Sequence, residues 1–463
     1  MHCLKTFIVI ICVAVFSFHP GLSAPSAFGK ERLLPHVTSK MQRPGFWIDK
    51  IRNPSRLLLT PGQIDKMNEE TLKTPGLYLC RVKDLKEEWT RAEILDLLRE
   101  DWQGFGESSE VRFGGDGRPL DGSFWRNLKK NINDDEIEDP TRPIHGLIVK
   151  RADIRVFPTD EPSFASPADK VFDRFQHSMI SPGTLVSLFH RSKDRQWVYL
   201  QAPFIRGWVQ ASAVGFANEK GIVKQYEETQ QRLVITGSFV TLFQDSSLRH
   251  EAFIAQMGSS FPIVRSPGPD DPCFAVKIPF REKDGHLTIR DGYVPKGADV
   301  RPGFLPFTQE NLARQAFKML HQPYGWGERS GGRDCSRLIM DTFASFGILM
   351  PRNSMLQAQV GLDAGPAETI RKKEQTLDRV VPLATLLRMP GHIMLYLGRH
   401  RGRYYAIHSI WSFQKKGPSG PVVQKVGGVV VSDLSLGENG LTGSLLERIT
   451  DIRFVGDPKD LNK

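Results

Sequence analysis

The sequence predicts a multidomain chain with an N-terminal mainly helical region, two small β-barrels and a C-terminal α+β domain. Three observations carry this. The chain has 463 residues, several times what one hydrophobic core organises. Its texture changes from polar and helical to short β-branched and aromatic runs after an acidic, turn-rich stretch ending near Pro143. From Thr308 the helical period returns and strands follow it, the order of an α+β domain. With 40% hydrophobic and 25% charged residues, the composition excludes a disordered chain, and no Gly-X-Y period marks a collagen.

Lys5 precedes an apolar run from Thr6 to Phe18, too short to span a bilayer and as long as a signal-peptide core. Residues 1–24 read as an export signal, with small residues at Gly21, Ser23, Ala24 and Ala27; an uncleaved anchor is the alternative. No later segment reads as a membrane span. Residues 28–143 form the helical region and a linker. Thr60 caps a helix with Pro61 at its first position, and Thr90 to Glu93 is a capping box ahead of Ile94, Leu95, Leu97 and Leu98. Residues 144–230 hold the first barrel, with strands around Gly146–Lys150, Ile154–Phe157, Thr184–His190, Trp197–Leu200 and Gly207–Val209. Residues 231–303 hold the second, around Phe239–Phe243, Phe261–Val264, Phe274–Pro279 and Gly292–Val294; one larger sandwich across both is the alternative.

Residues 304–463 complete the chain. Thr308 caps a helix carrying Leu312, Ala316, Phe317 and Leu320. A second helix starts near Asp334 and stops at Gly347, and strands are expected at His392–Leu397, Tyr404–His408 and Gly428–Val431.

Of the five cysteines, Cys3 and Cys12 fall in the export signal, leaving Cys80, Cys273 and Cys335. Three cysteines do not make a disulfide scaffold, and their odd number demands a free thiol. Cys80 and Cys273 read as buried, small apolar residues. Cys335 is different. It follows the glycine-rich turn Gly325–Gly332 and begins a helix, where the dipole and unpaired N–H groups favour a thiolate. A nucleophile also needs a base, and the base an orienting partner. His392 opens one strand and His408 closes the next, so a hairpin brings the two rings together. The same three side chains are a possible zinc set, although no Cys-x-x-Cys or His-x-x-x-His pair accompanies them.

Tyr324-Gly-Trp-Gly, Asp334-Cys-Ser, Gly347-Ile, Pro351-Arg-Asn-Ser354, Gln357, Gly391-His-Ile-Met-Leu-Tyr-Leu-Gly398 and Ile407-His408 follow one another in this order. In these residues the chain resembles the NlpC family of bacterial cell-wall endopeptidases, which are papain-like thiol hydrolases. Gly183-Thr-Leu-Val, Ser192 to Trp197 and Gly207-Trp-Val resemble bacterial SH3-like domains. The whole layout is similar to members with two SH3-like barrels that cleave between γ-D-glutamate and a diamino acid in peptidoglycan stem peptides.

The resemblance implies Cys335 as nucleophile, His392 as general base and then acid, and His408 as the orienting third member. Tyr324 and the Cys335 N–H would stabilise the oxyanion. Asp334, Ser336 and Ser354 would bind the free amine of an N-terminal L-Ala, with Trp326 and Arg352 also lining the substrate site. It implies no cofactor, stem peptides or muropeptides as partners, a monomer, and an exported protein of the periplasm or cell envelope. Two departures stand out. Arg337 and Glu328-Arg329 occupy positions where the family has glycine, which would narrow the cleft or shift specificity. Phe204-Ile205-Arg206 precedes Gly207-Trp208, where some relatives carry an amine-capping tyrosine. A noncatalytic wall-binding protein and an acyltransferase using the same thiol are the alternatives. The net charge of +10 suits polyanions, but the basic residues are spread out and show no nucleic-acid motif, so anionic envelope polymers account for it. The reading requires Cys335 to be ionised, open to solvent and close to both imidazoles.

Overall fold

The computed structural model describes residues 33–218, 220–418 and 420–461. The export signal expected at 1–24, with Cys3 and Cys12, lies outside them. Among the described residues no helix is long and apolar enough to cross a membrane.

Two seven-stranded antiparallel sheets account for the β-rich middle of the chain. The first runs, in spatial order, Gln176–Ile180, Ala152–Arg155, Ile205–Gln210, Trp197–Ala202, Leu185–Arg191, Ile144–Ile148 and Val214–Phe216. It closes over its own core of Ile148, Ile154, Val186, Leu188, Val198, Leu200 and Val209. The second runs Glu251–Gln256, Phe239–Phe243, Leu287–Pro295, Cys273–Arg281, Ser260–Arg265, Arg232–Ile235 and Val300–Pro302. Leu233, Ile235, Leu242, Phe261, Val276 and Val294 fill it. Separate cores make these two SH3-like modules and exclude one large sandwich.

The N-terminal region divides between two neighbours. Its early part, with Trp47, Ile48, Leu58, Leu59 and Ile64, joins the core of the C-terminal domain, and Leu57–Leu59 pairs antiparallel with Phe307–Thr308. Its later part, with Trp89, Ile94, Leu97, Leu98, Trp125 and Leu128, packs on Val156, Phe157, Phe175 and Trp208 of the first barrel. The helices themselves follow the expected caps: Thr60 accepts from Gln63 N above Pro61–Lys73, and Thr90 from Glu93 N above Arg91–Phe105. The stretch read as a linker is tied down, because Trp89 and Thr141 exchange backbone hydrogen bonds of 2.9 and 2.8 Å. Cys80 is only half-buried, against expectation, because it lies on the strand-like edge beside Pro203, to whose carbonyl its N–H donates; Cys273 is buried as expected.

In the C-terminal domain, Thr308 caps the helix Gln309–Phe317, and Asp334 caps Cys335–Ala344. A six-stranded sheet follows in the order Leu362–Asp363, Asp451–Phe454, Thr385–Met389, His392–His400, Arg403–Gly417 and Gly420–Asp433. Leu338, Ile339 and Phe343 of the cysteine helix are wholly buried against Ile393, Leu395 and Ile407. Each such side chain contributes roughly 1.5–3 kcal/mol of burial. This fixes one end of the helix against the middle of the sheet, where both histidines lie.

A buried set of ions locks the three modules together. Glu328 has no exposed surface and stands in the left-handed region at φ 64°. A non-glycine residue pays strain there, and four bonds hold it. Its carboxylate accepts from Ser178 Oγ (2.9 Å) and Met179 N (3.2 Å) of the first barrel, Gln256 Nε2 (2.8 Å) of the second, and Arg337 Nη1 (2.9 Å) of the cysteine helix. Asp341, one turn beyond Arg337, accepts from Arg337 Nε (2.6 Å), Arg333 Nε (2.7 Å) and Gln256 Nε2 (2.7 Å). Arg333 in turn donates to Ser238 Oγ and Ser238 O of the second barrel. At Gly258, φ +85°, that barrel presses so close that an added Cβ would stand 2.4 Å from the Ala344 Cβ at the helix end.

Removing one member of a buried ion set strands the others. Asp341→Ala leaves Arg333 without its carboxylate partner and Arg337 with Glu328 alone, and is expected to cost about 3–5 kcal/mol. Denaturant unfolding followed by tryptophan fluorescence reads it; a midpoint equal to the parent's would show that the set holds nothing together.

Candidate active site

The turn Gly325–Gly332 sets up the site. Its ends approach so closely that a Cβ on Gly332 would lie 2.5 Å from Gly325 N, and Gly327 and Ser330 join Glu328 in the left-handed region. Only small residues permit that closure, and it delivers the chain into the cysteine helix. Asp334 Oδ1 caps that helix, accepting from Arg337 N at 2.9 Å.

Cys335 is the first residue of the helix and keeps 8% of its surface exposed. The Ile393 N–H donates to its sulfur, which places the thiol against the start of the strand that carries His392. His392 Nε2 lies 2.7 Å from His408 Nδ1. Their strands are paired, with Leu395 opposite Ile407, so the shared hairpin brings the two rings together as the sequence anticipates. His408 Nε2 lies 2.8 Å from Ser432 Oγ, and neither of those two side chains is exposed at all. Both nitrogens of His408 are thus engaged within the protein, which does not fit a zinc set built on Cys335, His392 and His408.

The expected thiolate is where the structure differs. Burial, and next the Asp334 carboxylate, push the Cys335 thiol up to about 12, against the smaller help of the Ile393 and Ser336 N–H groups and Arg352. Burial takes His392 down to about 3, aided by Arg448, and takes His408 well below its ordinary value. A helix N-terminus is worth about 0.3–1 kcal/mol, less than the loss of solvation in so closed a site. Burial thus favours the neutral thiol and the neutral imidazoles. Burial, then Cys335 and Asp334, also hold the Tyr324 phenol far above its ordinary range, so it remains a hydrogen-bond donor.

Arg352 organises the remaining residues. It is buried and donates to Asp334 through Nη2–Oδ2 (2.6 Å) and Nη1–Oδ1 (3.1 Å), to Ser336 Oγ (2.8 Å) and to Ser178 Oγ (2.7 Å). Although burial opposes its charge, Asp334 and Glu328 hold it firmly protonated. Asp334 is therefore both the cap of the helix and the partner of Arg352. Ser354 opens the short helix Ser354–Gln357 and takes no part in these bonds. Trp326 donates from Nε1 to Asp173 O at 3.0 Å, turning toward the first barrel.

Several participants carry no signal in the sequence. Phe172, on the barrel loop before Gln176–Ile180, stacks edge-on against Trp326 with ring centroids 5.4 Å apart, and packs on Tyr324 and Trp411 at 6.2 and 6.1 Å. Its neighbour Asp173 is wholly buried between Arg155 and Arg329, which fixes the loop over the turn. Ser432 is a single serine in a Val-rich run, and Ser178 is the middle residue of Gln176–Ile180. Arg337 and Glu328 do not stand in the cleft as expected: they are paired with each other beneath it. Arg206 turns away as well, to Asp101, Glu100 and Tyr199 at the N-terminal region.

Residues 321–410 match the NlpC/P60 family, and residues 162–210 match an SH3 domain of the SH3b1 type. A solved structure described as a novel NlpC/P60 endopeptidase from Photobacterium damselae subsp. piscicida shares the fold, with a TM-score of 0.71 and 20% identity over 90% of this chain and 97% of that one. An NlpC/P60 family protein from Bacillus cereus ATCC 10987 aligns with a TM-score of 0.42 and 15% identity, over 60% of this chain and 82% of that one. No curated protein matches the chain.

Two measurements follow from the neutral site. Iodoacetamide is expected to alkylate Cys335 slowly at pH 6 and faster with every rise in pH beyond 9, since the thiolate is the reacting form; peptide mass spectrometry reads the rate, and rapid labelling at pH 6 would mean that the thiol rests ionised. Both histidines titrate below their ordinary 6.5, so the unfolded chain binds protons that the folded one does not. Stability is full above pH 6.5 and is expected to fall as pH drops toward 3; a His392→Gln, His408→Gln double variant should lose part of that slope in pH-dependent denaturation.

Proposed function

Because the chain carries an NlpC/P60 domain, a family of cysteine peptidases, behind an SH3b-type barrel, we propose that it is an exported cysteine endopeptidase that hydrolyses the γ-D-glutamyl to diamino acid bond of peptidoglycan stem peptides. The observation that carries the reading is the His392 to His408 contact of 2.7 Å on the strand whose Ile393 N–H reaches the Cys335 sulfur.

A neutral pair works by moving the proton during attack. His392 Nε2–H donates to His408 Nδ1, and His408 Nε2–H to Ser432 Oγ, which leaves the Nδ1 lone pair of His392 as the base. As sulfur bonds to the γ-glutamyl carbonyl carbon, its proton passes to His392. The Tyr324 hydroxyl and the Cys335 N–H stabilise the oxyanion. His392 then protonates the departing amine, the carbon–nitrogen bond breaks, and a thioester remains. Water, deprotonated by His392, attacks that thioester and releases the glutamate carboxyl and the thiol. No cofactor enters.

Arg352, charged and held by four hydrogen bonds, suits a substrate carboxylate, with Asp334 and Ser336 beside it for the free amine of an N-terminal L-Ala. Trp326 and Phe172 meet edge-on from opposite modules and would bound the substrate path. A slender, unblocked stem peptide fits that enclosure better than cross-linked wall. Glu328 and Arg337, departures from the family pattern, serve the module junction, which weakens the noncatalytic alternative.

Incubation with a synthetic L-Ala-γ-D-Glu-diamino acid tripeptide, read by mass spectrometry, is the test. Cleavage by the parent and its loss in Cys335→Ala are expected; equal cleavage by both, or none by the parent with any stem peptide, would overturn the proposal. Ser178→Ala removes one hydrogen bond from Arg352 and one from Glu328, and is expected to raise KM about 5- to 10-fold while kcat changes less, the signature of a positioning role, at about 1–1.5 kcal/mol.

A further inference from the structure

The last two strands of the sheet continue past their neighbours. Pairing between His392–His400 and Arg403–Gly417 begins at Leu395 opposite Ile407, so beyond it Arg403–Gly417 and Gly420–Asp433 have chiefly each other. Ser412 to Gly417 and Gly420 to Lys425 form a two-stranded ribbon about 20 Å long at ~3.3 Å per residue. Its base is the cleft, because Trp411 packs on Tyr324 at 5.8 Å.

The charge on this ribbon is one-sided. From Ser409 to Ser432 the sequence has Lys415, Lys416 and Lys425 and no Asp or Glu. All three lysines are exposed, and none belongs to an ion pair among the described residues. Lys415 Nζ donates to Gln424 at 3.1 Å, and Lys425 Nζ rests 4.2 Å from the Trp411 ring centroid. Lys277, by contrast, pairs with Asp291 at 2.8 Å, and Lys318 with Asp299 at 2.6 Å. Between the lysines stand Gln414, Gln424 and the exposed Val422 and Val423, at 43% and 56%. A strand without compensating charge, lined with amides and joined to the cleft, is shaped to lie along an anionic chain rather than to enclose a small molecule.

We propose that this ribbon is a docking arm for carboxylate-bearing peptidoglycan strands, which retains the enzyme on the wall beside the peptides it cleaves. The inference rests on the peptidoglycan reading for its partner, and on the ribbon's own charge for its location. Binding of this kind is ionic and screened by salt, since the lysines are exposed.

The test is co-sedimentation of the full chain, as Cys335→Ala to prevent digestion, with purified insoluble peptidoglycan at several salt concentrations. A Lys415→Gln, Lys416→Gln variant in the same background is expected to bind about 10-fold more weakly at low salt, from about 1 kcal/mol per lysine partly screened, and with a shallower salt dependence. Peptidoglycan whose carboxyl groups have been converted to amides should release the unsubstituted ribbon to the same extent. Equal binding by the variant, undiminished binding to amidated peptidoglycan, or a loss seen only on anionic lipid vesicles would each overturn the proposal; circular dichroism confirms that the tip substitutions leave the fold intact. Sedimentation does not need turnover. A parent that binds through the ribbon yet cleaves no stem peptide would sink the peptidase reading alone, and a parent that cleaves while the variant binds equally would sink only the docking arm.

Discussion

The carboxylate of Glu328 is the constraint on which the rest of the molecule depends. It lies within the glycine-rich turn, has no access to water, and draws hydrogen bonds from both barrels and from the helix that begins with Cys335. A charge so enclosed is costly unless every lone pair is used. Satisfying it forces the barrel strand Gln176–Ile180, the barrel residue Gln256 and the guanidinium of Arg337 into one place. The same barrel strand then presents Ser178 to Arg352, and its preceding loop carries Phe172 to the wall of the cleft. Module assembly and site assembly are therefore one event, held by the same bonds.

Burial in this site favours uncharged groups. Enclosure that favours a slender substrate also strips water from the sulfur, and desolvation outweighs what the helix terminus offers the thiolate. The relay from His392 through His408 to Ser432 compensates by fixing the tautomer that leaves one nitrogen basic. Orientation takes over the work that a permanently ionised sulfur performs in more open sites.

What the sequence revealed follows the range of its signals. Thr60, Thr90, Thr308 and Asp334 announce helix starts because capping is a local matter of three or four residues, and all four cap as read. The helix start at Cys335 and the paired strands of His392 and His408 were legible from local pattern, although Arg403–Gly417 runs well past His408, which the sequence placed at a strand end, because its partner Gly420–Asp433 extends the pairing. Ser432 was hidden: it lies diagonally across from His408 in a Val-rich strand, and only the register, with His408 opposite Val430, shows the contact. Phe172, Ser178 and the burial of Glu328 were hidden for a stronger reason, since they act across module boundaries separated by more than a hundred residues. The division of the N-terminal region between two cores escaped notice likewise, because an amphipathic stripe shows that a helix is covered but not by what. The thiolate expected at Cys335 failed where a local rule met a long-range one.

Glu328 also bears on inheritance. A carboxylate answered by three separately folded pieces cannot tolerate the replacement of one of them by a distant cousin, for a foreign barrel would bring no serine and no glutamine to meet it. Recombination, which shuffles loosely tethered binding modules with ease, would here yield chimaeras with a stranded buried anion. The barrels and the hydrolase are expected to descend together as a single heritable unit, and to change by compensated substitutions along their shared seam.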